Sequence, residues 1–471
     1  MANHGKRTFR EALFARVPPR WETRWAETNS ALWFLPALAV AIAVVLATAI
    51  VYVDDALDLW EKSLRTPWLF GAGADGARGV LTAISGSVIT VAGTLFSITI
   101  IGLQLASSQF TPRVLRQFTG DRINQTVLAV FLGTFTYCLL VLRTIQSETD
   151  EAPGFVPVIG VTFAIALALV CIALLILFIH HMAQQMQVAY ILHRATEDAL
   201  GLVESYFRDE IAVSPSLTRR DYAQGEGHDV LSDSTGYLQQ YDHAHLLDTA
   251  RANDLTIRML VPMGAYLNTR QPIARIWTAS GDEVDLEEAG KAVRAAFVTG
   301  AERTLHADLP LGVRQIADIG LKALSAAIND PTTATQALDR LSEVLARAGA
   351  MESPDRILYV DDRPAVFLPR IGFEELTSIA FTQFRHYAKT DLVVMMHLAR
   401  TIERIASLVN ERHHPALLRH LELVKAAGKQ GLALGPERQV LCDAVDESIE
   451  RIKALGNGER VPVVPDMLRE V

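Results

Sequence analysis

Val80–Ser108 reads VLTAISGSVITVAGTLFSITIIGLQLASS. The stretch is long, apolar and uncharged, which is the signature of a membrane-spanning helix. A second pattern runs through it. Ser87, Thr90, Thr94, Ser97, Gln104 and Ser108 recur at steps of three and four, and Ile101 fills the one place in the series without a polar side chain. Such steps put all seven residues on one helix face. Two readings are open. One is a water-lined conduit with Ile101 as a hydrophobic constriction. The other is a helix-packing seam, which the neighbouring Gly86 and Gly93 would suit.

The rest of the chain falls into place around this helix. Of 471 residues, 50% are hydrophobic and 21% charged, with a mean hydropathy of +0.21. That is too apolar for an ordinary soluble protein and too charged for membrane throughout, so a membrane part and a soluble part are expected. The net charge of -9 gives no reason to expect nucleic acid. Cys138 and Cys171 lie in apolar segments and Cys442 in a late helical stretch, which does not suit a disulfide framework. No signal peptide is expected, because thirty polar, Arg-rich residues precede the first apolar run.

Four spans are predicted: Ala31–Val53, Val80–Ser108, Asn124–Leu142 and Phe155–Ile179. The fourth is almost purely aliphatic and reads as lipid-facing. Residues 1–30 interleave six Lys and Arg with tryptophan and suit either an amphipathic arm at the lipid headgroups or a loosely ordered tail. That arm and the loop bearing Arg113, Arg116 and Arg122 hold nine Lys and Arg, against four (Lys62, Arg65, Arg78, Arg143) in the other two loops. The positive-inside rule then puts both termini in the cytoplasm. The G-x-G-x-x-G at Gly71–Gly76 lies between two spans rather than in a βαβ unit, so it is set aside as chance.

Past His181 the helix is expected to continue as a stalk or a packed helix, with 219–234 as a linker or flexible loop. GYLQQYD, LTIRMLV and PIARIW read as strands, with a helix capped by Asp242 between the first two. From Val284 helices dominate. Gly312–Ala327 and Pro331–Ala348 are separated by Asn329 and Asp330, the latter an N-cap with proline at the first helical position. A strand pair is predicted near Ile357–Val360 and Val366–Pro369. Four helices follow: Phe373–Tyr387, Asp391–Glu411, Pro415–Ala427 and Pro436–Leu455.

The fold class is therefore an α-helical integral membrane protein with four transmembrane helices, followed by a mainly helical α+β cytoplasmic domain. The expected divisions are 1–30, 31–182, 183–235, 236–370 and 371–471.

The runs LQLASSQFTPRVLRQFTGDR, VFLGTFTYCLLVLRT and ALSAAINDPTTA resemble the bacterial predicted membrane proteins catalogued as domain of unknown function 2254. The resemblance spans nearly the whole chain. It implies an inner-membrane protein with four N-terminal spans and a large cytoplasmic domain. It brings no accepted activity and no catalytic residues.

Other candidate sites are weaker. The spans are essentially free of ionisable side chains, which argues against a proton-coupled transporter. His180 and His181 are adjacent and point to different faces, so they chelate poorly, and interfacial placement explains them. The same plain reading covers His413, His414 and His420. The turn Asn329, Asp330, Thr332 and Thr333 could bind an anion at a helix start, with Arg314 nearby in sequence, but a simple cap explains the same residues. No enzyme motif is present, and no catalytic residue, metal or cofactor is expected.

The leading expectation is a homo-oligomeric pore in the lipid bilayer. Ser87, Thr90, Thr94, Ser97, Gln104 and Ser108 would line it, Ile101 would gate it, and Arg113 and Arg116 would stand at its inner mouth. Its partners would be ions or a small cytoplasmic ligand. The alternative is a non-conducting sensor or scaffold whose spans only anchor and oligomerise a cytoplasmic ligand-binding domain.

Overall fold

The computed structural model describes residues 33–57, 70, 73–109, 121–147, 154–208, 227–278, 285–305, 307–351, 357–361, 363–369 and 371–456. These fall into two compact units that divide between Tyr190 and Ile191.

In the first unit, α1 (Phe34–Leu57), α2 (Ala74–Gln109), α3 (Arg122–Thr144) and α4 (Val158–Gln185) are each long and apolar enough to cross a membrane. The four expected spans are all present; the first and fourth start three residues later and end a turn or more later, the second starts six residues earlier, and the third gains two residues at each end. At ~1.5 Å per residue, α2 measures ~54 Å against a hydrocarbon core of ~30 Å. It must tilt or project beyond the bilayer.

The third helix is the hub, packing against the other three. Small residues allow its closest approach to α1: a Cβ at Gly133 would meet Ala39 at 3.4–3.6 Å. Ala43, Ala47, Leu81, Tyr137, Val141 and Val161 fill one end of the unit. Val88, Ala92, Leu95, Val127, Phe131, Phe178 and Met182 fill the other. Large aliphatic side chains of α4, such as Leu169, Ile172, Ile176 and Ile179, remain exposed, as an acyl-chain environment allows.

The expected unbroken helix past His181 is not found. The fourth helix ends at Gln185, and α5 (Val188–Arg208) begins after Met186 and Gln187. The N–H of Gln187 turns back to the Gln184 carbonyl at 3.0 Å. Neither proline nor glycine marks the break, and nothing in the local sequence explains it. Within the second unit, α5 buries Leu192, Ala195 and Ala199. A Cβ at Gly312 would meet Ala199 and Leu202 at 3.2–3.4 Å, so this helix packs closely there.

The sheets follow. They are β1 (His228–Leu231), β2 (Gly236–Tyr241), β3 (Leu255–Met259), β4 (Tyr266–Leu267), β5 (Pro272–Thr278), β6 (Phe297–Gly300), β7 (Ile357–Val360) and β8 (Arg363–Phe367). One sheet has the order β1-β5-β3-β8-β7, the other β4-β2-β6. All neighbours are antiparallel except β3 and β8. A parallel pair needs a crossover, and here it spans more than a hundred residues. The helices α6 (His243–Ala252) and α7 (Leu286–Ala295) pack on the strands, each capped by an aspartate, Asp242 and Asp285. The strands expected at 236–242, 255–261 and 272–277 are present. Of the others, β1 falls where a linker is expected, and β4 and β6 are too short to show period-two alternation.

The remaining helices are α8 (Leu309–Ala323), α9 (Pro331–Ala350), α10 (Phe373–Ala388), α11 (Leu392–Ala406), α12 (His414–Gly431) and α13 (Gly435–Gly456). Three of them converge on Gly320 of α8, where a Cβ would run into the Phe384 ring of α10 and Ala337 of α9. Both neighbours are fully buried and have no free space to retreat into. Gly320→Val is therefore expected to cost about 2–3 kcal/mol through overpacking. Thermal unfolding of the purified protein checks this; an unchanged midpoint would mean the helices do not meet there.

Candidate functional site

The second helix has two opposite faces. Leu81, Ser85, Val88, Ala92, Leu95 and Gly102 are buried against the bundle. Ser87, Thr90, Thr94, Ser97, Ile101 and Gln104 are all exposed, and lie on the other side. Ile101 is 55% exposed, so the described residues of its own chain do not bury it. Gly79, Gly86 and Gly93 also look outward, and a Cβ at any of them would meet nothing within 4 Å. Among the described residues, the polar stripe is therefore not a packing seam. From Ser87 to Gln104 it runs ~25 Å, close to the depth of the hydrocarbon core.

Three of the stripe's hydroxyls are bound to their own helix. Thr90 donates to the Gly86 carbonyl at 2.8 Å, Thr94 to Thr90 at 3.1 Å and Ser97 to Gly93 at 2.9 Å. Each hydroxyl has one proton to give, so what it turns outward is oxygen lone pairs. Arg113 and Arg116 lie outside the described residues. Ser108 lies in the last turn of α2.

Two polar sites escape a sequence reading of the membrane unit. In the first, α1 continues one turn past its apolar run and carries Asp54 into the bundle, 4% exposed. Its carboxylate accepts from the N–H groups of Ile159 and Gly160, both at 2.9 Å. These belong to the first turn of α4, whose N-cap is Pro157 and makes no side-chain bond. An acid on a different helix thus supplies the missing cap. Tyr137 of α3 donates to the Gly160 carbonyl at 3.0 Å, so three helices are fastened at one point.

The second is at the opposite end of the bundle. Asp121 caps α3 through Oδ1, accepting from Ile123 and Asn124 at 2.8 and 3.1 Å. Its Oδ2 faces His181 and Gln185 of α4. Asn124 and Gln185 are each 5% exposed.

In the second unit, the turn before α9 is a cap. Asn329 takes the left-handed conformation at φ 48°. Asp330 accepts from the Thr333 N–H at 3.1 Å and from its hydroxyl at 2.5 Å. The Thr333 hydroxyl and N–H hold the Asp330 carboxyl below the ordinary carboxylate range. Arg314 sits in the second turn of α8, while the Asn329 turn follows that helix's far end. About nine residues of helix, ~13 Å, separate Arg314 from that end, so the structure does not bring the five residues into one site. Of the late histidines, His414 and His420 are buried and His413 is half-buried. His414 contacts the Ala406 carbonyl at 3.0 Å, and His413 and His420 lie against Phe373 and Phe381. Burial, with Arg385 and Arg419 nearby, pushes the His420 imidazole down to about 4. It is neutral at physiological pH.

A family model described as "Predicted membrane protein (DUF2254)" matches residues 29–404. The chain belongs to this family. Similar proteins of Mycobacterium bovis and Mycobacterium tuberculosis, both described as uncharacterized, are 30% identical over 434 residues, 91% of this chain and 82% of theirs. No solved structure matches the chain. The DUF2254 match takes in all four membrane helices, both sheets and the helices as far as α11. The α2 stripe, the Asp54 cap and the Asp121 cluster all lie inside it.

Proposed function

We propose that this DUF2254 protein assembles into a closed homo-oligomer in which α2 of each copy lines a membrane pore. One observation carries the reading: the polar stripe lies on the face of α2 that its own chain leaves uncovered. A ring of copies would bring the stripes to a common axis, closed rings being the rule for homo-oligomers. The outward lone pairs of Thr90, Thr94 and Ser97 would replace part of a cation's hydration, without charge and with weak selectivity. Ile101 would close the lumen by dewetting. Arg113 and Arg116 would oppose cations at the inner mouth. The Lys and Arg distribution supports an orientation with both termini in the cytoplasm, and the protein would sit in the bacterial inner membrane. The second unit would then be a cytoplasmic regulatory domain for ions or a small ligand. The reading assigns no catalytic residue.

A second reading is favoured by the open space at Gly79, Gly86 and Gly93. Small residues let helices of two copies approach closely, and hydroxyls bonded to their own helix need no water. The protein would then be a non-conducting sensor or scaffold. Ser97→Leu separates the two. In the pore, a bulky apolar side chain on the axis should cut ion flux into liposomes at least about tenfold, with oligomer size unchanged. In the scaffold, the wild type passes no ions and the substitution breaks the oligomer. Flux untouched in an intact oligomer would remove the stripe from the pore wall.

A further inference from the structure

With the Asp121 carboxylate ionised, no placement of protons satisfies its cluster. His181 Nε2 lies 2.9 Å from Asp121 Oδ2 and 2.6 Å from the Gln185 amide nitrogen, which itself contacts Asp121 Oδ2. Three polar atoms therefore form a triangle in which each is within hydrogen-bond distance of the other two. Every edge needs one donor and one acceptor. If His181 Nε2 carries a proton for Asp121, its edge with the Gln185 nitrogen is donor against donor. If Nε2 is bare and accepts from Gln185, its edge with the carboxylate is lone pair against lone pair. Protonating both ring nitrogens restores the first conflict.

A cation resolves all three edges. The oxygen and nitrogen of a glutamine amide are assigned rather than seen. Turning the Gln185 amide over puts Oε1 at its corner of the triangle. The three corners are then a carboxylate oxygen, a bare imidazole nitrogen and an amide oxygen, each with a lone pair for one ion. In its present orientation that Oε1 is buried without a partner, on a side chain whose other amide atom is in the cluster. Both amide atoms of Asn124 are also buried without partners, one turn along α3. Ligands that share a face of a coordination octahedron at ~2.1 Å lie ~3 Å apart. The two edges at the Gln185 amide need to open by about half an ångström to reach that. The side chains of His181 and Asp121 are each 16% exposed, which leaves a path for the ion and its waters.

We propose that Asp121, His181 and Gln185 bind a divalent first-row transition-metal ion that staples the start of α3 to the end of α4. Imidazole favours such ions over calcium or magnesium, and carboxylate and amide oxygens accept them. Asn124 supplies a further oxygen or holds a metal-bound water. The site is independent of whether the protein conducts.

The test is calorimetric titration of the full chain in detergent, free of any affinity tag, with Zn2+ and with Mn2+, and with Mg2+ as a control. One ion of Zn2+ or Mn2+ per chain is expected. Its affinity should fall at least about tenfold in both His181→Gln and Gln185→Met, while His193→Gln leaves it unchanged. Asp121→Asn keeps the cap acceptor but not the charge, and should weaken binding similarly. The Mn2+ spectrum in electron paramagnetic resonance should change from that of the free ion in the wild type alone. No stoichiometric binding by the wild type overturns the site. So does binding that survives His181→Gln and Gln185→Met with chain folding intact.

Discussion

Ile101→Asn should raise ion flux through liposomes containing the purified protein by at least about tenfold over wild type. Ile101 is the apolar interruption in a stripe that otherwise offers oxygen, and it faces away from its own bundle. On the axis of a ring, apolar side chains at one level exclude water without touching. An amide there is wetted, and the column of water becomes continuous. Ile101 is 55% exposed, so the substitution disturbs little packing within the chain, and folding and oligomer size should stay as in wild type. Both need measuring on the same samples. If flux is unchanged while the oligomer is intact, Ile101 is not a gate. If neither protein passes ions, the stripe joins copies and conducts nothing.

Asp54→Ala should destabilise the membrane unit by about 3 kcal/mol, seen as a drop of several degrees in thermal unfolding in detergent. The Asp54 carboxylate is bonded to two N–H groups of the first turn of α4. Removing it strands both donors where water has little access, and each stranded donor costs about 1–3 kcal/mol. Helices depend on such partners most where lipid supplies none. Asp54→Asn keeps one carbonyl oxygen for one of the two donors and should lose about half as much. An Asp54→Ala protein that melts with the wild type would show that α4 does not depend on this cap.

The main elements of the fold are legible because their signals are local. Twenty apolar residues in a row declare a span wherever they sit, and Asp330 before Pro331 announces a helix start. The stripe is legible for the same reason, since helical periodicity is written in steps of three and four. What lies opposite the stripe is not. Periodicity defines a face, and only packing says whether that face meets the bundle. Here Leu81, Val88, Ala92 and Leu95 turn to α3 and α4, and the small residues at Gly79, Gly86 and Gly93 are left without a neighbour. Composition misleads at Asp54, because the apolar run stops before it and the predicted span ends at Val53. The helix itself runs one turn further.

The sequence by itself determined a four-span membrane protein with a larger mixed domain behind it, its family, and a polar line along the second span. These follow from hydrophobic length, helical period and capping residues within a few positions of one another. The tertiary structure alone decided that the line faces outward, that Asp54 caps a helix about a hundred residues away, and that Asp121 meets His181 across 60 residues. Such contacts depend on how helices cross, and no local pattern encodes the crossing.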